Sequence, residues 1–333
     1  MNKKTGLKIS VIGAGAWGTT LAILLAENEH KVTLWAYEKE VLKGLKEFRE
    51  NKLFLPGFQL PENIQGTQDP AGAKDSEILV FAVPTQFLRR VAARFKSSLA
   101  AKSIIVAASK GIEEKTLLLP LDILKQELKT DKLVALSGPN LSAEIARGMP
   151  AACVLASRDT ASAKSVQDSL LLERFRVYIN SDPLGVQLGG ALKNVIALAA
   201  GVADGLELGN NAKAGLMIRG IAEIARLGAA MGADQRTFSG LSGMGDLITT
   251  CSSKLSRNHC VGEQIAKGKK LEHILKNMRQ VAEGVATTKA GLALGKKHQV
   301  QLPVTSEVYQ ILYEGKDPFR SISDLMTRTP TSE

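Results

Sequence analysis

Three glycines near the N-terminus, Gly13, Gly15 and Gly18, form the pattern G-x-G-x-x-G. They lie between an apolar run at 8–13, "KISVIG", and a segment with helical spacing at 17–28. In such a strand–turn–helix unit the first glycine permits a tight turn, and the second lets the backbone approach a pyrophosphate. The third lets helix and strand pack closely, and the helix N-terminus offers N–H groups to the phosphates. This context favours a dinucleotide site over a purely structural turn.

The end of the second predicted strand indicates which dinucleotide binds. A site that prefers NAD usually has Asp or Glu about 20 residues after the motif, bonded to the ribose 2′-hydroxyl. Here that position is Ala36, flanked by Trp35 and Tyr37, and the next carboxylate is Glu38. A 2′-phosphate would meet no repulsion at Ala36, which permits NADP and favours it. Glu38 swinging into the site would reverse this preference.

The elements that position this motif form an alternating pattern in the first half of the chain. Nearly continuous apolar runs separated by helical patterns are typical of a parallel sheet that helices cover on both faces. Strands are predicted at 8–13, 30–37, 76–84, 103–109, 132–140, 151–157 and 175–180, and helices at 17–28, 41–51 and 85–99. We therefore predict an α/β fold with a doubly wound Rossmann-type N-terminal domain.

The pattern changes after about residue 184, where long helical segments follow and strand patterns stop. Helices are predicted at 184–206, 211–233, 260–278, 284–297 and 305–313. A chain of 333 residues is long for one hydrophobic core. We place the boundary at the turn signal "NSDPLG", which gives a dinucleotide-binding domain at 1–186 and an all-helical substrate and catalytic domain at 187–333.

Composition and charge exclude several classes of protein. The net charge of +10 favours anionic ligands, but Lys and Arg are spread along the chain. The densest cluster, "KGKK" at 267–270, has no interleaved aromatic residues, so we expect no nucleic-acid partner. Apolar stretches such as "VIALAAGVA" at 195–203 are shorter than the roughly 20 residues of a membrane span, so no membrane insertion is expected.

The cysteines and the N-terminus indicate a cytoplasmic protein. "MNKKTGLKISVIG" lacks a signal-peptide cleavage site. Cys153, Cys251 and Cys260 contain no C-x-x-C pair, and such a sparse, odd set is typical of reduced thiols. Cys260 lies beside His259, but two adjacent ligands make a poor site, so no metal is expected.

Seven motifs in this order resemble one family along the chain from residue 8 to about 315. They are "GAGAWGTTLA", "AVPTQFLR", "ASKGIE", "LSGPNLSAEIARG", "GGALKNVIALAAGVADGL", "GLSGMGDLITTCSSKLSRNHCVG" and "VAEGVATTKA". Together they closely resemble the bacterial NAD(P)-dependent glycerol-3-phosphate dehydrogenase family. The resemblance implies reversible reduction of dihydroxyacetone phosphate to sn-glycerol 3-phosphate by NAD(P)H, which supplies glycerophospholipid synthesis in the cytoplasm.

The same resemblance implies the site residues. It gives Lys193 as general acid and base, with Lys110 and Asp246 as further catalytic residues. The implied substrate contacts are Lys110, Gly138, Asn140, Lys193, Asp246, Ser256, Arg257 and Asn258. The implied cofactor contacts are Gly13, Gly15, Ala16, Trp17, Gly18, Tyr37, Lys110, Ser142, Arg257, Val281 and Glu283.

These residue types suit the reduction of a phosphorylated ketone, which needs a proton donor and a phosphate cradle. Asp246 could hold Lys193 or a substrate hydroxyl through a charge-assisted hydrogen bond, and Arg257 can bind two phosphate oxygens in parallel. Several of the implied site residues also have a purely structural interpretation. The stem of Lys193 could lie on apolar surface, and Ser142 or the Ser256 turn could simply cap a helix.

Two alternatives stay open from the sequence. A dehydrogenase of the same fold could act on a 2-hydroxy acid or ketopantoate, which would need a cationic clamp for a carboxylate. A non-catalytic NAD(P)-binding sensor would bind cofactor without turnover and would leave Lys110, Lys193 and Asp246 unexplained. The sequence leaves the oligomeric state open, with a homodimer as one candidate.

Overall fold

A computed structural model describes residues 6–329 of the chain and divides it into two compact units. The first unit comprises residues 6–110 and Leu118–Gln187, and the second comprises Gly111–Leu117 and residues 188–329. A short segment from the N-terminal half thus belongs to the second unit. The first five residues, which carry part of the predicted non-cleaved N-terminus, lie outside the described range.

An eight-stranded sheet forms the centre of the first unit. The chain's strands are β1 (Lys8–Ile12), β2 (Lys31–Trp35), β3 (Glu50–Asn51), β4 (Leu55–Gln59), β5 (Ile64–Thr67), β6 (Ile78–Phe81), β7 (Ile104–Ala107), β8 (Leu133–Ser137), β9 (Ala151–Ala156) and β10 (Phe175–Asn180). The sheet has the order β10-β9-β8-β7-β6-β1-β2-β5, while β3 and β4 form a separate antiparallel pair. All seven predicted strands are present, so the α/β Rossmann-type fold is confirmed.

The expectation of a wholly parallel sheet is wrong at one pair, because β8 and β9 run antiparallel. The remaining neighbours in the eight-stranded sheet are parallel. Strands buried on both faces have nearly continuous apolar sequences. Such a sequence is the same whichever way the strand runs, so the apolar pattern carried no information on direction.

Three strands and several helices differ from the predictions. The helix predicted at 85–99 ends at Ala93, and the one predicted at 260–278 is divided into Arg257–Ala266 and Leu271–Lys276. The helix predicted at 41–51 begins at Lys39 and ends at Glu47, and Glu50 already lies in β3. Strands β3, β4 and β5 have no strand signal in the sequence, since they are short and contain Pro56, Gly57 and Gly66. Proline and glycine are rare in strand interiors and interrupt the alternation on which a prediction depends.

Six helices belong to the first unit and flank its sheet. They are α1 (Ala16–Glu27), α2 (Lys39–Glu47), α3 (Thr85–Ala93), α4 (Pro120–Leu128), α5 (Ser142–Ala146) and α6 (Thr160–Leu170), with 3₁₀ turns at Pro70–Ala73 and Lys96–Ser98. Helix α1 is buried continuously from Gly18 to Ala26. The core of this unit is made by apolar residues of β1, β2 and α1 among others.

The remaining helices follow β10, and no strand occurs between Ser181 and residue 329. They are α7 (Pro183–Gly205), α8 (Gly209–Ala230), α9 (Asp246–Ser252), α10 (Arg257–Ala266), α11 (Leu271–Lys276), α12 (Glu283–Lys297), α13 (Pro303–Tyr313) and α14 (Pro318–Met326). A 3₁₀ turn at Gln235–Ser239 and a π-helical turn at Leu241–Gly245 precede α9.

The expectation that the apolar stretches are too short for a membrane span is wrong for helix α7. It has 23 residues and is long and apolar enough to cross a membrane, but 89% of its most apolar 18-residue stretch is buried inside the protein. Its small residues pack against backbone: a Cβ on Gly201 would lie 2.0 Å from the carbonyl oxygen of His259. Helix α7 is therefore a core helix that α10 approaches closely.

Candidate active site

The three glycines of the N-terminal motif have the three different environments that the motif requires. Gly13 has a φ of +108° and directly follows β1, and a Cβ there would lie 2.7 Å from the Ala82 carbonyl oxygen. A Cβ on Gly18 would lie 1.8 Å from the Gly13 carbonyl oxygen. A Cβ on Gly15 would meet nothing within 4 Å. Gly13 and Gly18 are thus needed by the fold, whereas the open space at Gly15 is a place where a ligand can approach the backbone.

The first amides of α1 have no side-chain cap. Gly15 is the N-cap residue, so no side chain caps the first amides of the helix. Ala16 begins the helix, and the Nε1–H of Trp17 is buried without a hydrogen-bond partner among the described residues. Uncapped amides at a helix N-terminus form a ready anion site. The residues present therefore fit the pyrophosphate of a dinucleotide.

The end of β2 has the arrangement expected from the sequence. Ala36 is fully buried and its N–H donates to the Thr67 carbonyl oxygen, so no carboxylate lies at this position. Tyr37 is 62% exposed, and Glu38 is the N-cap residue of α2. The aromatic side chain that follows the strand is thus available at the surface.

Loops after β7 and β8 bring Lys110, Gly138 and Asn140 together. The Lys110 Nζ donates to the Gly138 carbonyl oxygen at 2.9 Å. Gly138 has a φ of +133°, and a Cβ there would lie 3.0 Å from the Cα of Cys153. The Asn140 Nδ2 donates to the Ala152 carbonyl oxygen, while its buried Oδ1 has no partner among residues 6–329. These groups lie where parallel strands end, the edge at which open α/β sheets bind ligands.

Ser142 does not cap α5, as one interpretation of the sequence allowed. Leu141 is the N-cap residue, and Ser142 is the first residue of the helix. The Ser142 carbonyl oxygen accepts from the Thr20 hydroxyl of α1 at 3.3 Å. Within the described part of the chain the Ser142 hydroxyl itself has no hydrogen bond, so it remains available to a ligand.

In the second unit, Lys193 and Asp246 form a buried ion pair. The Lys193 Nζ lies 2.9 Å from the Asp246 Oδ1, and it donates to the Thr250 Oγ1 at 2.5 Å. The Thr250 hydroxyl donates in turn to the Asp246 Oδ1 at 3.3 Å. Lys193 is 7% exposed, Asp246 1% and Thr250 6%. Asp246 thus contacts Lys193, one of the two partners considered for it.

Close backbone packing holds this ion pair. Asp246 is the first residue of α9, and the π-helical turn leads into it. A Cβ on Gly189 of α7 would lie 2.7 Å from the Ser242 carbonyl oxygen in that turn. Single π-helical turns occur frequently at functional sites. The approach of the turn to α7, four residues before Lys193, brings lysine and aspartate together.

Thr250 is the site residue that the sequence analysis missed. It lies four residues after Asp246 on α9, the spacing that puts two side chains on one helix face. That spacing is the signal that could have found it. The neighbouring Cys251 is inert, because burial raises the pKa of its thiol to about 12, with Lys193 acting in the opposite direction.

The phosphate-binding candidates lie at the start of α10. Ser256 is its N-cap residue, and the Ser256 Oγ accepts from the His259 N–H at 3.3 Å. Arg257 is exposed and donates from Nη1 to the Val281 carbonyl oxygen. Although the residue as a whole is exposed, protein atoms surround its guanidinium, and this desolvation lowers its pKa; the Glu283 carboxylate opposes the shift. The predicted cap is therefore real, and it places the arginine at a helix N-terminus.

Val281 and Glu283, two of the predicted cofactor contacts, lie near this arginine. Val281 is partly exposed, and its carbonyl oxygen anchors Arg257. Glu283 is the first residue of α12. No group of three or more His, Cys, Asp or Glu side chains that could hold a metal ion occurs in residues 6–329.

The candidate residues thus form two groups. The first unit holds the glycine motif, Lys110, Gly138, Asn140 and Ser142, and the second holds the Lys193 ion pair, the α10 N-terminus and Val281 with Glu283. The first group suits a dinucleotide, and the second has a buried lysine with an anion-binding helix start.

Models of two family domains match nearly the whole chain. The N-terminal domain of NAD-dependent glycerol-3-phosphate dehydrogenase matches residues 8–163, and its C-terminal domain matches residues 182–323. A glycerol-3-phosphate dehydrogenase [NAD(P)+] from Citrifermentans bemidjiense is 49% identical over 330 residues, which cover 98% of each chain. Another from Bacillus licheniformis is 45% identical over 331 residues, covering 98% of this chain and 96% of the relative.

A solved structure has the same fold along the whole length. The crystal structure of glycerol-3-phosphate dehydrogenase from Coxiella burnetii superposes with a TM-score of 0.93 at 35% identity, covering 97% of this chain and 99% of that one. These similarities support the main interpretation of the sequence and neither of its two alternatives.

Proposed function

The chain belongs to the NAD-dependent glycerol-3-phosphate dehydrogenase family, and from this membership we propose how its residues perform the reaction. The activity is the NAD(P)-dependent interconversion of dihydroxyacetone phosphate and sn-glycerol 3-phosphate. We further propose that the protein works in the cytoplasm and supplies glycerophospholipid synthesis, with its three cysteines as free thiols.

Lys193 is the general acid and base, and the observation that carries this role is its buried pair with Asp246. Reduction of a ketone places negative charge on the substrate oxygen O2, and the Lys193 ammonium donates its proton there. In the reverse direction the neutral amine accepts the proton of the alcohol. Asp246 and Thr250 hold the Nζ in one orientation and stabilise its charged form.

The first unit binds the cofactor, which supplies the hydride for C2 of the substrate when bound. The amides at Gly15, Ala16 and Trp17 and the dipole of α1 bind its pyrophosphate. The exposed Tyr37 would lie on the adenosine side of the bound cofactor, and Ser142 would offer it a hydroxyl. Lys110 and Asn140 bind substrate through an ammonium and a buried amide oxygen.

The start of α10 binds the substrate phosphate. Arg257 supplies a fork of N–H donors, and the Ser256 hydroxyl and the helix N-terminus add further donors. The Val281 carbonyl oxygen, just before α12, accepts a hydrogen bond from Arg257, and Glu283, the first residue of α12, adds a nearby carboxylate. A phosphate suits this donor set as well as or better than a carboxylate.

Paired substitutions test the role of Lys193. Lys213 is a matched control, since its Nζ also lies 2.9 Å from an aspartate, Asp204. We expect Lys193→Met to lower the rate of substrate-dependent NAD(P)H oxidation by about a hundredfold or more, the usual size of general acid–base catalysis. Lys213→Met is expected to stay within about fivefold of the wild type, since it removes only a structural ion pair.

Cofactor binding and the substrate range complete this test. Both variants should still bind NADPH, which separates lost chemistry from unfolding. Near wild-type turnover in Lys193→Met would contradict its role as general acid. If ketopantoate or a 2-keto acid is reduced faster than dihydroxyacetone phosphate, the proposed phosphate cradle is wrong.

A further inference from the structure

Arg94 is an exposed cation that no part of the established activity uses. It is the C-cap residue of α3, and its guanidinium carbon lies 5.1 Å from the centre of the Trp35 ring. Among residues 6–329 its side chain forms no hydrogen bond and no ion pair. Stacking on an aromatic face is a favourable arrangement for arginine. The guanidinium is therefore held in place while its N–H donors remain available.

Trp35, on which Arg94 stacks, is a rigid support. Its ring is buried, its Nε1 donates to the Gln68 carbonyl oxygen at 2.8 Å, and Phe95 packs against it edge-on at 5.5 Å. Phe95 directly follows Arg94 and is itself fully buried. The backbone that carries Arg94 is thus anchored beside the tryptophan, which limits where the guanidinium can move.

Trp35 lies at the end of β2, where a dinucleotide places its adenosine ribose. Trp35 is the last residue of the strand, and its ring centre lies 6.3 Å from that of the exposed Tyr37. Buried Ala36 stands where a carboxylate would select the free 2′-hydroxyl. Arg94 is therefore a cation near the position that would face a 2′-phosphate.

The acidic residues close to this position do not neutralise Arg94. Glu38 is the N-cap residue of α2 and forms no ion pair with Arg94 within residues 6–329. The Asp69 side chain accepts from the Ala71 N–H and so caps the 3₁₀ turn that follows β5. A 2′-phosphate would thus meet a guanidinium whose charge no carboxylate of residues 6–329 compensates by direct contact.

We propose that Arg94, stacked on Trp35, binds the 2′-phosphate of NADP(H) and gives this chain a preference for NADP over NAD. A guanidinium can present two parallel N–H groups to phosphate oxygens, and these charge-assisted bonds are stronger than neutral ones. The proposal rests on the use of a nicotinamide dinucleotide by the first unit, but on none of the roles proposed for Lys193 or α10.

Fragments of the cofactor provide a test that needs no turnover. The dissociation constants of 2′,5′-ADP and of ADP are measured by calorimetry with the full-length wild type, Arg94→Gln and Arg90→Gln. Arg90 is a matched control on the same helix, with its guanidinium carbon 5.6 Å from the ring centre of Phe87. We expect the wild type to bind 2′,5′-ADP more tightly than ADP.

The two substitutions should differ in their effect on the affinity for 2′,5′-ADP. We expect Arg94→Gln to weaken binding of 2′,5′-ADP by about tenfold or more, the loss of one charge-assisted hydrogen bond. Its affinity for ADP should change by less than about twofold, since ADP lacks the phosphate that the guanidinium binds. Arg90→Gln should alter neither affinity.

Three outcomes would overturn the proposal. Wild-type protein that binds ADP at least as tightly as 2′,5′-ADP has no 2′-phosphate site. An Arg94→Gln variant with unchanged affinities would show that the side chain only covers Trp35. Equal weakening for both ligands would show a general effect on the cofactor site. None of these results bears on proton transfer, so the proposed function would be unaffected.

Discussion

The Thr250 hydroxyl provides a sharp test of how the catalytic lysine is held. Replacing Thr250 by valine keeps the shape of the side chain and exchanges the hydroxyl for a methyl group. This removes an acceptor 2.5 Å from the Lys193 Nζ and a donor 3.3 Å from the Asp246 Oδ1. Because the site is almost fully buried, we expect no water to replace the hydroxyl.

The size of the effect follows from the charge of the partners. A hydrogen bond to a charged group contributes about 1.5–3 kcal/mol to stability. We therefore expect Thr250→Val to lower the free energy of unfolding by about this amount. If the same bond orients Lys193 in the transition state, kcat falls about tenfold to hundredfold, since each 1.4 kcal/mol is a factor of ten.

The assay combines steady-state kinetics with urea unfolding. KM for dihydroxyacetone phosphate should change little, because the proposed phosphate donors lie on α10, whereas kcat should fall. Thr250→Ser retains the hydroxyl and should keep most of the activity. A valine variant with wild-type kcat would refute the role of the hydroxyl, and a serine variant as impaired as valine would show that the hydroxyl alone does not hold Lys193 in place.

Two further predictions concern stability. Burial raises the pKa of Glu223, whose carboxylate accepts from the N–H groups that begin α13. The folded state therefore binds the proton of Glu223 more tightly than the unfolded state does. In urea unfolding, we expect the wild type to lose stability relative to Glu223→Gln as pH rises above 4.5, the ordinary pKa of this group. A difference in the free energy of unfolding that does not change with pH would contradict this. Gly189→Ala puts a Cβ 2.7 Å from the Ser242 carbonyl oxygen and should cost about 1–3 kcal/mol. The control Gly215→Ala has open space in α8 and should add up to about 1 kcal/mol of stability, so equal effects in the two variants would refute the packing argument.

The sequence predicted the elements of the sheet better than their arrangement. All seven apolar strands were found because burial on both faces demands continuous apolar runs. The reversal between β8 and β9 was not predictable, since such runs carry no direction. Strands β4 and β5 were missed because Pro56 and Gly66 break the pattern, and the pairing of β5 with β2 supplies the hydrogen bonds that the sequence does not reveal.

The candidate site was predictable where function depends on local spacing. The glycine motif works within six residues, so its geometry follows from the sequence and is confirmed in the environments of Gly13 and Gly18. The stack of Arg94 on Trp35 joins residues far apart in the chain and has no local signal. Thr250 was predictable only in part. Its helical spacing from Asp246 is present in the sequence, but its hydrogen bond with Lys193 is known only from the structure.

Asn258 shows why a structural and a functional interpretation of one residue need not compete. Its Nδ2 donates to the Asn194 Oδ1 on α7, and its Oδ1 accepts from the Gly284 N–H on α12. The amide thus joins three helices, yet its second N–H forms no hydrogen bond within the described range. A substrate oxygen can be bound only through that group, by an amide whose orientation the other two bonds fix. If the remaining N–H binds substrate, as the family resemblance implies, we expect removal of the side chain to reduce stability and substrate affinity together, because the bonds that hold the helices also orient that N–H.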